Sequence, residues 1–390
     1  MRILIVSSFL PFPLHSGGHV RLYNLIKELS ASHKIDLVCE KRDFQSEKDI
    51  NEVQKFCEEV ITVDRKKQWS VENILKTSVS TYPFLLVGHT SPQMKQKIVS
   101  LLNTKKYDVI HVETFYVYQN LPRTYIPVVL VEHNIEYLVY KRYMDVSPVY
   151  MRPLLSLDIK KIKKWEEYFW KKATALVAVS QKEKEQMTRP DVYIVPNGVD
   201  IQTFSPKKKT YNRKAKYVLF IGDFKWIQNI QAVQFILQDI WPRVQMENTK
   251  LWIVGKNMPE SFKAMGDKRV IFDSDATDET WKIYQKADVL LAPIMVGGGT
   301  SYKILESMAS GTPVVTTRLG VEGIGAKHDK HALVGKTADE LAGFVEKFLT
   351  DSAFAKNIAM NARALVEETY SWKKIAKSLE DVYKNVTTTL

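Results

Sequence analysis

Apolar positions along this chain fall into short, nearly unbroken β-branched runs, separated by longer segments in which they recur every three or four residues. The runs lie at residues 3–7, 35–39, 60–63, 109–112, 128–132, 176–180 and 193–195. Continuous apolar strands are what a parallel sheet covered on both faces requires, and the helical segments between them supply the covers. The pattern then restarts at 218–222, 250–255, 270–272, 289–293, 313–316 and 332–334, with helices such as 230–237 and 280–286 in between. Asn197-Gly198 marks a turn, and the lysine-rich stretch 205–216 has no periodicity, which places a hinge near 197–215. The spacing predicts an α/β chain of two Rossmann-like domains, 1–198 and 199–369, facing one another across a cleft. A last helix at 371–386 carries Trp372, Ile375, Leu379 and either Val382 or Tyr383 on one stripe. The segment 370–390 is thereby expected to cross back to the first domain.

Composition narrows the class. The chain has 390 residues, 45% of them hydrophobic and 26% charged, enough for two domains with cores of their own and unlike a disordered chain. Residues 1–6, Met-Arg-Ile-Leu-Ile-Val, run into Ser7-Ser8 and read as a buried strand, not a secretion signal, and no later apolar stretch has the length of a membrane span. Cys39 and Cys57 have no motif spacing, which argues against a disulfide framework or a zinc site and for a cytoplasmic setting. The net charge of +12 implies attraction to an anionic partner. Its lysines are spread along the chain instead of being interleaved with aromatics over one groove, so no nucleic acid is expected. One run, 159–172, does mix lysines with aromatics at helical spacing. Ile159, Ile162, Trp165 and Phe169 form an ordinary core stripe there, while the same composition suits an interfacial helix and raises peripheral contact with the inner membrane surface.

Ligands of open parallel sheets bind beyond the carboxyl ends of the strands, so the loops there are read for chemistry. The first carries Ser16-Gly17-Gly18 and the second Glu132-His133-Asn134. The third is Gly222-Asp223-Phe224-Lys225-Trp226, and the fourth begins at Gly297. Residues 297–315 join a glycine loop to a helix whose first turns bear Lys303 and Glu306. Glycines let backbone N–H groups approach a phosphate, and the helix dipole favours an anion there. Lys303 adds a cation, and Glu306, three residues on, offers a carboxylate to sugar hydroxyls. Gly311-Thr312-Pro313 then ends the helix. The spacing suits a phosphate joined to a polyol; the bland alternative is a flexible turn followed by a Lys303–Glu306 surface ion pair. His133 likewise reads either as a satisfied core histidine or, from its place at a strand end, as a functional group. Asp273-Ser274-Asp275 is read as a loop, not a metal site. No Gly-x-Gly-x-x-Gly follows the first strand, which disfavours a dinucleotide oxidoreductase.

Taken in order, Ser16-Gly17-Gly18, Glu132-His133-Asn134, residues 195–200, Ala287-Asp288-Val289 through Pro293, and 297–315 resemble the retaining GT-B-fold glycosyltransferases of family 4, in the subset with a Gly-Gly-Gly-Thr motif. The resemblance spans essentially the whole chain. It implies transfer of a hexosyl group from a nucleoside diphosphate sugar to a sugar, lipid-linked or other hydroxyl acceptor in polysaccharide or glycolipid synthesis. Retention at the anomeric carbon is implied, with no metal and no cofactor beyond the donor. Gly17, Gly18, Gly222, Gly298, Gly299 and Thr300 would line the donor, His133 would reach the anomeric region, Lys303 the diphosphate and Glu306 the ribose. The sequence departs from the family where a first sugar-reading glutamate is replaced by Gly298, where Ser301 stands in place of an arginine, and where Gly222-Asp223 leaves Lys225 as the nearest cation. Rival readings are another nucleotide-sugar enzyme of this architecture, an epimerase or a phosphorylase, and a nonenzymatic nucleotide or nucleic-acid binding protein.

Overall fold

The computed structural model describes residues 1–65, 67–206, 215–274, 279–295 and 300–388. It resolves into two compact units, Met1–Val195 with Ile375–Leu390, and Pro196–Lys374. The first is built on seven parallel strands: β1 Arg2–Ser7, β2 Lys34–Lys41, β3 Glu59–Asp64, β4 Val109–Glu113, β5 Val128–Glu132, β6 Ala175–Ala178 and β7 Val192–Ile194. They run in the order β3-β2-β1-β4-β5-β6-β7. β1 pairs on one side with β2, Ile3 opposite Ile35, and on the other with β4, Ile3 opposite Val109. The chain therefore reverses its winding between β1 and β4, and the crevice beyond their carboxyl ends is where such sheets take ligands.

Both faces of that sheet are covered, which is why its strands are apolar throughout. Leu4, Val6, Ile110, Val112 and Leu130 pack with Ile162 and Phe169 of the helix Arg152–Lys172. Ile3, Ile5 and Val109 are buried on the opposite face. The C-terminal helix Trp372–Thr388 belongs to this unit from Ile375 onward, and Ile375, Leu379, Val382 and Tyr383 are all buried.

The second unit holds six parallel strands: β8 Lys216–Ile221, β9 Thr249–Val254, β10 Val270–Asp273, β11 Val289–Ala292, β12 Val314–Thr316 and β13 Leu333–Val334, in the order β10-β9-β8-β11-β12-β13. Val218 and Phe220 of β8 face one apolar cluster, and Leu219 and Ile221 face another. Its winding reverses between β8 and β11.

Several boundaries differ from the sequence expectation. The units divide after Val195 and Lys374 instead of after 198 and 369, because Val199 donates its N–H to the Tyr370 carbonyl at 2.8 Å and pairs with Ser371, while a side chain on Gly198 would come within 2.8 Å of the Trp372 ring. β6 stops at Ala178 because Ser180 caps the helix Gln181–Gln186, accepting the Glu183 N–H. The helix expected at 230–237 starts earlier, Ile227–Phe235, and continues through a π-helical turn Ile236–Ile240. Part of the expected hinge, 207–214, lies outside the described residues.

Candidate active site

In the first unit the polar residues gather at the β1/β4 reversal. His111 and Glu113 are two apart on β4 and so share a face of the sheet, the one opposite Ile110 and Val112. Glu113 is fully buried, yet both its oxygens are satisfied: Oε2 lies 2.5 Å from His111 Nε2 and Oε1 lies 2.5 Å from His133 Nε2. Burial alone would raise the Glu113 carboxyl, but the His133 charge and the hydrogen bonds from both histidines outweigh it and hold the group well below the usual carboxylate range. An ionised carboxylate only accepts, so Nε2 of each ring carries the proton. On the far side, His111 Nδ1 meets the Tyr383 hydroxyl at 2.6 Å. Burial, then the Glu113 charge, pushes Tyr383 well above its ordinary value, so its hydroxyl keeps its hydrogen. The result is a chain from the C-terminal helix to the loop after β5: Tyr383, His111, Glu113, His133.

His133 is the member of that chain that reaches solvent, and it does so beside the start of the helix Gly17–Leu29. A Cβ on Gly18 would lie 3.2 Å from both Nδ1 and Cε1 of His133. Glycine at 18 is therefore what lets the ring lie over that helix start, with Nδ1 turned towards it. Gly17 is the first residue of the helix and Ser16 its extended N-cap. The structure thus brings Gly17, Gly18 and His133 together. Glu132 turns elsewhere, into the core, where Oε1 accepts the Trp170 indole N–H at 3.1 Å. Beside it Glu166 accepts the N–H groups of Glu136 and Tyr137 at the start of the helix Glu136–Val146. Burial pushes Glu166 up to about 8, and burial together with the Glu166 charge raises Glu132.

In the second unit Lys303 and Glu306 lie on the helix Tyr302–Ala309, but they are not tied to each other as a surface ion pair. Lys303 Nζ donates to Asn229 Oδ1 at 2.7 Å and lies 4.2 Å above the centre of the Phe220 ring. Glu306 Oε2 accepts the Tyr284 hydroxyl at 2.8 Å. Burial pulls Lys303 down to about 7, against the Glu306 charge, and pushes Glu306 up to about 7, against the Tyr284 hydrogen bond and the Lys303 charge. Asn229 is held in turn by a bond from its Nδ2 to the Asp223 carbonyl, 2.8 Å, and a Cβ on Gly222 would strike its amide at 2.8 Å. Gly222 is therefore the residue that admits the partner of Lys303. Tyr284 is fixed by Thr312, whose hydroxyl donates to the Tyr284 carbonyl at 2.8 Å just after Gly311, at φ +68°, has ended the helix.

Lys225 is joined to the same network through Asp223, whose carbonyl holds Asn229. It is exposed, paired with Asp223 at 3.1 Å and set over the Trp226 ring. Asp223 is further held by the Lys225 and Asn257 N–H groups, and these contacts outweigh burial and depress its carboxyl. Thr300 is buried, with its hydroxyl 3.4 Å from the Gly323 carbonyl. Gly298 and Gly299, with Gly297 before them and Asp275 in the acidic loop, lie outside the described residues. Asp273 accepts the Trp252 indole N–H at 3.3 Å.

The sequence reading missed Glu113, His111, Asn229 and Tyr284. For the first two a signal existed: two ionisable residues at i and i+2 in an otherwise apolar central strand must share a face and find partners there.

Two doubly wound α/β units, each with a polar cluster at its winding reversal, define a GT-B type of architecture. The chain belongs to the group 1, family 4 glycosyltransferases: a family described as Glycosyltransferase Family 4 matches residues 15–203, and one described as Glycosyl transferases group 1 matches residues 215–351. A 44.6 kDa protein in the cps region of Klebsiella pneumoniae is 23% identical over 97% of this chain and 98% of its own. The same fold is found in sucrose-phosphate synthase from Thermosynechococcus elongatus, at TM-score 0.73 and 17% identity with both chains covered completely. It is found again in Anabaena HepE in complex with UDP and glucose, at TM-score 0.65 and 14% identity over 99% of this chain and 100% of that one. The enzymatic activity is that of a glycosyltransferase. Among the described residues no helix is long and apolar enough to cross a membrane.

Proposed function

We propose that the enzyme transfers a hexosyl group, with retention, from a nucleoside diphosphate sugar to a hydroxyl of a sugar or lipid-linked acceptor in the synthesis of a polysaccharide or glycolipid, at the cytoplasmic face of a membrane. In this reading Lys303 meets the diphosphate, Glu306 accepts from the ribose hydroxyls, and Gly17 and Gly18 offer backbone N–H groups to the donor. Gly222 acts indirectly, by admitting Asn229. Thr300, with Gly298 and Gly299, would complete the lining on the sugar-phosphate side. Lys225, paired with Asp223 at the surface, is the second cation of this reading.

The observation that carries the reading is the separate seating of Lys303 and Glu306. Each is half-buried and presents its charge beside a neutral polar partner, Asn229 or Tyr284, when an ion pair three residues apart was available. Such an arrangement leaves both charges for a ligand that is anionic at one end and hydroxylated at the other. In the transfer step the bond from the anomeric carbon to the diphosphate oxygen breaks and the bond to the acceptor oxygen forms on the same face. The acceptor proton goes to the departing diphosphate. Lys303 and backbone N–H groups stabilise the growing negative charge, and no metal is assigned to that task, so transfer is expected to continue in chelator. His133, oriented by Glu113, stands at the sugar.

Calorimetric titration with nucleoside diphosphates tests the site, UDP first, since the Anabaena structure holds it. Lys303→Ala and Glu306→Ala should each weaken binding by about tenfold or more, while His133→Ala binds normally and fails to transfer. Unchanged affinity in both of the first two variants would refute the assignment. The anomeric configuration of the product, read by NMR, tests retention.

A further inference from the structure

The helix Val71–Val79 is packed inside out. Its buried residue is Asn73, which donates to the carbonyls of Lys67 and Gln68, whereas Val71, Ile74, Leu75 and Val79 are 75%, 51%, 62% and 90% exposed. These four recur at helical spacing and so make one continuous apolar face, turned to solvent. A neighbouring helix continues it. In Arg152–Lys172, Leu154 and Leu157 are 72% and 61% exposed, and Lys161, one turn further on, donates its ammonium to the carbonyls of Thr77 and Ser80 at 2.8 Å each. The Trp165 indole, bonded to the Thr81 carbonyl at 2.9 Å, ties the second helix again to the chain just beyond the first. Where the apolar residues stop, Lys160 and Lys164 take over the same side of the helix, both exposed.

We infer that this face is a docking surface for an anionic lipid bilayer, with Val71, Ile74, Leu75, Val79, Leu154 and Leu157 entering the acyl boundary and the lysines lying at headgroup depth. Six protruding aliphatic side chains from two tied helices are an apolar patch of a kind that a surface facing only water does not keep. The lysine border, on a chain of net charge +12, selects the partner by charge: phosphate headgroups attract it, and lysine stems reach outward while the charge stays in water. From the lysine and aromatic run 159–172 this surface takes only the exposed lysines, since Ile162, Phe169 and Trp170 of that run are buried in the core. As the place where a lipid-linked acceptor is met, the inference rests on the proposed function; vesicle binding as such does not.

The test is co-sedimentation of the full chain with vesicles of phosphatidylcholine alone and of phosphatidylcholine mixed with phosphatidylglycerol. The wild type should pellet with the mixed vesicles and be released by salt. Ile74→Glu with Leu75→Glu should lower partitioning by about tenfold or more, and Lys160→Glu with Lys164→Glu should remove most of the preference for the anionic lipid. All these positions are exposed, so a circular dichroism melt and the nucleotide titration should match the wild type. That titration also separates failure of the surface from failure of the donor site. Equal pelleting of the Ile74/Leu75 variant and the wild type overturns the proposal. So does a wild type that stays in solution with anionic vesicles, or a dimer in sedimentation velocity that the same variant dissociates without any loss of vesicle binding.

Discussion

Under the proposed function, donor binding must change the protonation of Lys303 and Glu306. In the free protein burial holds Lys303 near 7 and Glu306 near 7, so close to neutrality each is about half charged. A diphosphate at Lys303 favours the ammonium, and ribose hydroxyls at Glu306 favour the carboxylate. At about pH 8 only about a tenth of the free protein carries the ammonium, so binding should take up about 0.9 proton, and affinity should fall about tenfold for each further pH unit. At about pH 6 the carboxyl is about nine-tenths protonated, binding should release about 0.9 proton, and affinity should fall as pH drops. Affinity therefore peaks near pH 7. Because each charge supports the other, the two steps belong to the pair, not to one residue apiece. The assay is calorimetry in two buffers of different ionisation heat, with a nucleoside diphosphate sugar whose diphosphate has no proton to exchange near neutrality. Lys303→Met should abolish the uptake on the alkaline side and Glu306→Gln the release on the acid side. Identical heats in both buffers at about pH 8, or uptake that persists in Lys303→Met, would refute the reasoning.

Glu113→Gln keeps the shape of the buried chain but cannot accept from both histidines at once. Its kcat should fall about a hundredfold or more, with nucleotide affinity unchanged and partial recovery in Glu113→Asp; steady-state kinetics beside the titration would expose a merely structural role as an equal loss in both. Glu166 gives a stability signature. Its folded-state value of about 8 lies above the ordinary 4.5, so between these the folded chain holds a proton that the unfolded chain has lost, and stability should fall as pH rises through that window and level off beyond it. Glu166→Gln should reduce that slope, by up to about 1.4 kcal/mol per pH unit, in urea melts across the range; an unaltered slope would assign it to other groups.

The central strands β1, β4, β5, β6, β11 and β12 were legible because each is buried nearly throughout, and a parallel strand in that position has to be apolar along its length. The candidate site was legible where polarity interrupts that pattern at an element's end, as at His133, Lys303 and Glu306. Their partners were not. Asn229 is an unremarkable polar residue in a helix, Tyr284 an apolar-looking one, and only the register of β8 against β11 and the missing side chain at Gly222 bring the first of them to Lys303. Lys225, the nearest cation in sequence, pairs with Asp223 two residues away, a local pairing that the charge pattern does not rank.

The membrane-facing helix marks a different limit. Periodicity gives the angle of an apolar stripe about a helix axis, but not its sign relative to the core. Val71, Ile74, Leu75 and Val79 recur at helical intervals, as Ile375, Leu379, Val382 and Tyr383 do, yet the second set is buried and the first is not. What decides between them is the opposite face. The C-terminal helix exposes lysines and acids there, which are cheap to leave in water, whereas Val71–Val79 presents Asn73, whose amide is satisfied by two backbone carbonyls of the preceding loop. A polar side chain that finds its partners inside turns the apolar face out, and an apolar face held out on a helix braced by Lys161 needs a surface to meet. Removing the brace should therefore act on vesicle binding as removing the face does: Lys161→Met leaves all six aliphatic side chains in place, and weaker partitioning in that variant would show that the two helices act as one surface.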